Sequence, residues 1–186
     1  GEFIMCKVYK YSELYSTDFM SYFDNKKEVI SDIELQSDEY SIDIDKIIAE
    51  LGIEVIETYF DSHSGKYDAD TKKMYVNILE PLQRQRFTKS HELGHFVLKH
   101  EGISEREQTP VANAKERAAN QFAAELLMPQ KLIIKAIDRM AIDYSMTWEE
   151  LDTLNDEIII TYLAEKLNVS NPAMKYRLIN LGVLSI

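Results

Sequence analysis

The sequence predicts an α+β fold, mostly helical, in which a small three-stranded antiparallel sheet packs on one central helix and further helices follow. Three observations predict it. Apolar residues recur at helical spacing from Ile44 and again through most of the chain after Pro81. Between them, Ile53 to Thr58 alternates apolar and polar residues, and two more strand-like runs follow the turn-like Asp61-Ser62-His63-Ser64-Gly65. Punctuating residues fall at the joints, with Gly52, Pro81, Pro129 and the stretch Asn168 to Pro172 closing or opening segments.

In chain order, residues 1–4 (Gly-Glu-Phe-Ile before Met5) read as a vector-derived remnant and are set aside. Residues 5–40 form an acidic, aromatic arm without clean periodicity. Residues 41–129 form the core unit. Ser41 or Asp43 caps a helix through about Leu51, and strands are expected over Ile53 to Thr58, near Lys66 to Tyr67, and over Lys73 to Ile78. Pro81 opens a helix over about Leu82 to His100 that ends near Gly102, a polar loop runs through Pro110, and a second helix spans about Ala112 to Met128. Residues 130–186 form a C-terminal helical region packed on the core, broken near Tyr144 to Thr147 and near Asn168 to Pro172.

Composition excludes several classes. With 45% hydrophobic and 28% charged residues in 186, the chain has the makeup of a soluble globular protein large enough to bury a core. Cys6 is the only cysteine, so no internal disulfide forms and a metal site must use histidine and carboxylate ligands. No apolar run is long enough for a membrane helix, and the expected location is the cytoplasm. The net charge of −11 is concentrated in residues 1–61, which carry 15 acids and 5 bases. Such a surface repels phosphate backbones, which argues against direct nucleic-acid binding, and it would attract a basic protein or serve as a solvated face.

The chemistry lies in His91-Glu92-Leu93-Gly94-His95. On a helix, histidines four apart share one face and can share one cation, and Glu92 between them suits a general base. Two imidazoles leave a catalytic Zn2+ short of a protein ligand. Glu116 is the candidate, because Ala119, Ala123, Leu126 and Leu127 fall on its side of the next helix and place its carboxylate on the apolar stripe. A carboxylate there needs a cationic partner. Glu125 is about half a turn away and expected to be solvated. His63 and His100 lack metal-ligand spacing and read as surface or capping residues. The strand at Met74 to Ile78 either adds an extended substrate at its edge or is an ordinary sheet edge. Tyr75 and Arg86 have the chemistry of oxyanion donors, but no spacing supports it, and both read as structural.

The stretches Arg84-Gln85-Arg86-Phe87-Thr88 and Glu116-Arg117-Ala118-Ala119-Asn120-Gln121-Phe122-Ala123-Ala124-Glu125-Leu126-Leu127-Met128-Pro129 resemble the ImmA/IrrE family of metallopeptidases. More weakly, the likeness extends from residue 41 to the closing Lys175-Tyr176-Arg177-Leu178-Ile179-Asn180-Leu181-Gly182. It implies a zincin-like core and a zinc endopeptidase that acts on a helix-turn-helix repressor of a mobile genetic element or stress regulon. In ligand order the chain is similar to zincins of the thermolysin kind, which implies a supporting role for Asn120, where those proteins usually carry Asp.

Two other readings stand beside this one. Tyr162 to Ser170 with the helix through Leu178 resembles a helix-turn-helix, which suggests a DNA-binding regulator, although Lys175 and Arg177 are few bases for a duplex reader. Alternatively, the zinc is structural and the protein binds a repressor without cutting it.

Overall fold

The computed structural model describes residues 8–100 and 109–184. The N-terminal segment is short elements in close succession: β1 (Tyr9–Lys10), α1 (Tyr11–Leu14), α2 (Thr17–Ser21), a 3-10 turn at Asp24–Lys26, α3 (Lys27–Ser31) and β2 (Glu34–Leu35), with β1 and β2 antiparallel. Next come α4 (Ile44–Glu50), β3 (Glu54–Thr58), β4 (Gly65–Asp68), β5 (Lys73–Asn77), α5 (Leu82–Val97) and α6 (Pro110–Leu127). Four helices follow: α7 (Gln130–Tyr144), α8 (Trp148–Leu151), α9 (Asp156–Leu167) and α10 (Asn171–Asn180). The fold is α+β and mostly helical, as the periodicity requires. Among the described residues no helix is long and apolar enough to cross a membrane.

The sheet differs from expectation in one pairing. Its order is β3-β5-β4, with β4 antiparallel to β5 but β3 parallel to it, so the sheet is mixed. Alternation along a strand fixes which face is buried and leaves the neighbour undetermined. The segment after Thr58 is too long for a tight hairpin, so the chain crosses to the far edge and only then returns through β5 in the middle. Asn77 organises that crossing. Its amide donates to the carbonyls of Phe60 and His63, both at 3.0 Å, and its own carbonyl accepts from Leu79 N–H at 3.1 Å.

Residues 9–35 pack into the core. Tyr11, Tyr15, Phe19, Met20, Phe23, Ile30 and Leu35 are buried in the same hydrophobic cluster as α6 and the C-terminal helices. Phe19 stacks between Tyr15 at 4.8 Å and Phe122 at 5.1 Å, and Tyr15 Oη donates to the Leu126 carbonyl. Large aromatic rings bury enough surface, roughly 2 kcal/mol or more each, to dock short elements that could not persist alone. The buried rings of Tyr11, Tyr15, Phe19 and Phe23 recur every four residues although no single helix runs through them, and α1 and α2 each add a second buried residue, Leu14 and Met20.

Arg86 joins three regions and is structural. From α5 its Nε donates to the Asn168 carbonyl at 3.1 Å and its Nη2 to the Ile42 carbonyl at 3.0 Å. The α9–α10 pair turns at Asn168 in the left-handed region, and Met174 and Leu178 of α10 are fully buried. Of the bases a duplex reader would use, Arg177 donates to the Met128 carbonyl at 2.9 Å and Lys175 pairs with Glu157 at 3.7 Å.

Candidate metal centre

Two small-residue contacts build the site. The first is helix against helix. A Cβ at Gly94 would stand 3.1 Å from the Cα and carbonyl oxygen of Ala119 and from the Phe122 ring, so α5 and α6 approach closely enough that any larger residue would press them a few tenths of an ångström apart. Glu116 lies one turn before Ala119 and is carried to the mouth of the His91/His95 face. The second is strand against helix. A Cβ at Gly65 would collide with the Thr88 side chain, lie 2.8 Å from the Tyr75 carbonyl and touch Glu92 Cγ at 3.7 Å, so β4 rests directly over the Glu92 turn of α5.

The structure brings together the three ligand candidates. His91 Nε2 and His95 Nε2 are 3.0 Å apart, Glu116 Oε2 is 3.2 Å from His91 Nε2, and Glu116 Oε1 is 3.1 Å from His95 Nε2. One ligand atom from each lies within 4.8 Å of the others, close enough to hold one metal ion. Glu92, His91, His95 and Glu116 line a cavity of about 840 Å³, which Lys66, Tyr67 and Asp68 of β4 also line.

Charge and hydrogen bonding suit a cation. Burial holds the His95 imidazole down at about 4, helped by the nearby His91, His100 and Lys115 charges. His91 is also lowered, burial outweighing the upward pull of Glu116 and Asn120. Both rings are therefore neutral near pH 7. Asn120 Oδ1 faces His91 Nδ1 at 2.9 Å, and an amide oxygen can only accept, so the proton sits on Nδ1 and the Nε2 lone pair points at Glu116. Imidazole lone pairs and a carboxylate converging without a proton donor match the nitrogen and oxygen set that Zn2+ takes.

Some residues are placed otherwise than expected. The Glu116 side chain is 44% exposed, on the cavity rim rather than within the apolar stripe, although Ala112 before it and Ala119 after it are buried. Glu125 lies outside the group, half-buried rather than freely solvated, its charge felt by Tyr15 and Arg177. The free edge next to the site belongs to β4, because β5 is paired on both sides. His100 is no mere surface residue, since its Nδ1 is 3.0 Å from His95 Nδ1. His63 is exposed, near the Phe60 ring. α5 ends at Val97, short of the expected His100 and Gly102, because the chain turns through left-handed Lys99; the polar loop expected after Gly102 falls mostly on residues 101–108, outside the described residues, and Pro110 is the first residue of α6, with Thr109 as its cap.

No curated protein matches the chain. Among solved structures, a Mycobacterium tuberculosis transcriptional regulator superposes with a TM-score of 0.52 at 19% identity, over 91% of this chain and 51% of that one. That likeness concerns the fold, and this chain spans about half the length of the regulator. The peptidase M78 family model, described as the IrrE N-terminal-like domain, matches residues 48–179, a span that begins within α4 and takes in the mixed sheet, the paired histidines, Glu116 and the helices beyond. The chain belongs to this family of IrrE N-terminal-like peptidases.

Proposed function

We propose that this protein is a zinc-dependent endopeptidase that cuts a protein substrate, a helix-turn-helix repressor of a mobile element or stress regulon, in the cytoplasm. The observation that carries the peptidase reading is the convergence of His91, His95 and Glu116 below an open strand edge, with Glu92 on the same helix turn and lining the same cavity. His91, His95 and Glu116 would hold the ion, and zinc there supplies Lewis-acid polarisation of a carbonyl and of water. Glu92 takes the proton of the attacking water and passes it to the leaving amine. The β4 edge offers unpaired backbone groups to an extended peptide, which would set its carbonyls along the cavity. The repressor as substrate rests on the residues that resemble the ImmA/IrrE family, and the acidic N-terminal third supplies a surface complementary to a basic partner.

The test is incubation of the zinc-loaded protein with the repressor encoded beside its gene, with and without a chelator, read by intact-mass spectrometry. A defined cut that disappears with chelator supports the proposal. An intact repressor bound tightly to a zinc-replete protein would replace it with the non-proteolytic reading.

A further inference from the structure

We infer that His100 is the positioning residue of His95: it accepts the proton-bearing side of that imidazole and so holds the opposite nitrogen toward the metal position. This role rests on the metal centre proposed above. The two Nδ1 atoms are 3.0 Å apart, and the rings cross at 63° with centroids 5.2 Å apart. Two imidazole nitrogens at that distance share one proton. His95 Nε2 faces His91 Nε2 and Glu116 Oε1, and a ring that ligates through Nε2 carries its proton on Nδ1. His95 therefore donates and His100 accepts.

The arrangement gives each of the two histidines one orienting acceptor. His91 has Asn120 from α6, and His95 has His100 from the end of its own helix. Without His100, the Nδ1–H of a side chain only 12% exposed would lose this acceptor, and the ring would be freer to turn about its last torsion.

Helical periodicity does not bring His100 there. Five residues on, a continuing helix would carry it roughly 140° around from His95. Instead α5 stops at Val97, and Lys99 adopts φ 55°, the left-handed region that a residue with a Cβ seldom occupies. That residue turns the chain back, His100 N–H bonds the His95 carbonyl at 3.0 Å, and the His100 ring falls across the last turn. The same left-handed closure ends α7 at Ser145 and α9 at Asn168, and at α5 it leaves the His100 ring beside His95. Lys99 reaches Asp24 at 3.3 Å, an exposed pair that links the turn to the N-terminal segment.

The experiment compares zinc affinity, by competition with a chromophoric chelator, in the wild type and in His100→Ala, His100→Phe and His100→Gln, with circular dichroism to confirm folding. Loss of the acceptor in the Ala and Phe variants should weaken zinc binding about 10- to 100-fold, whereas the Gln amide oxygen should restore it to within about 3-fold of wild type. In spectra of the zinc-loaded protein labelled with 15N-histidine, the His95 Nδ1–H signal should persist in the wild type and the Gln variant and vanish in the Ala variant. Unchanged affinity in His100→Ala, or recovery by Phe and not by Gln, would overturn the role of His100 alone. A wild type that binds no zinc would overturn the metal centre and this role with it.

Discussion

Gly94 and Ala119 meet where α5 and α6 cross, and a Cβ added at Gly94 would press on the Ala119 backbone at 3.1 Å. The second histidine follows Gly94 immediately and the carboxylate lies one turn before Ala119. Helix separation at this crossing therefore bears directly on how far Glu116 stands from the two histidines.

Gly94→Val should push α6 away from α5. The overpacking is expected to cost about 1–3 kcal/mol, and the displaced Glu116 should lower zinc affinity as well. Urea denaturation and metal titration of the same sample check both. A variant with lower stability but unaltered zinc binding would separate the crossing from the site.

Glu92→Gln keeps the shape of the side chain and removes its capacity to take a proton. Zinc content measured by mass spectrometry should stay at the wild-type value while the cleavage rate falls at least about 100-fold, the scale of general acid–base catalysis. His91→Ala should lose both metal and cleavage.

Arg86→Met should destabilise the fold without touching the site. The Asn168 and Ile42 carbonyls lose a charged donor in a part-buried setting, a loss of about 2–3 kcal/mol. The midpoint of urea denaturation should drop while zinc stoichiometry is retained. Loss of zinc in a still-folded variant would instead place Arg86 in the site.

The metal-free protein should lose stability in mild acid. His95 lies at about 4 when folded and near 6.5 when unfolded, and His91 shifts in the same direction. Between the two values the unfolded chain binds more protons, so this stability is present above about 6.5 and is lost as pH falls toward 4. Urea midpoints in chelator at pH 7.5 and 5.0 should show a drop that is smaller in a His91→Gln, His95→Gln double variant. An equal drop in both proteins would assign the effect to other groups.

Gly65→Val should lift β4 from α5, because its side chain enters the space of Thr88 and the Tyr75 carbonyl. Since Glu92 lies beneath that strand, we expect a higher KM for peptide at unchanged zinc content. Steady-state kinetics with a fluorogenic peptide from the cleaved sequence measures this.

Sequence alone placed the histidines on one helical face, put Glu116 on the facing side of the next helix and located the breaks at Tyr144 to Thr147 and Asn168 to Pro172. All of these follow from a 3.6-residue period and local backbone preferences, which are properties of neighbours along the chain. Tertiary structure decided what depends on distant partners. It put β5 at the centre of the sheet with β3 parallel to it, and left Glu116 on a rim instead of in the core. It also gathered the aromatic residues of the N-terminal segment around Phe122. His100 joined the site through a single left-handed residue, Lys99, which no periodicity announces. Pairing and docking are set by which surfaces exclude water together, and that choice exists only once the elements meet.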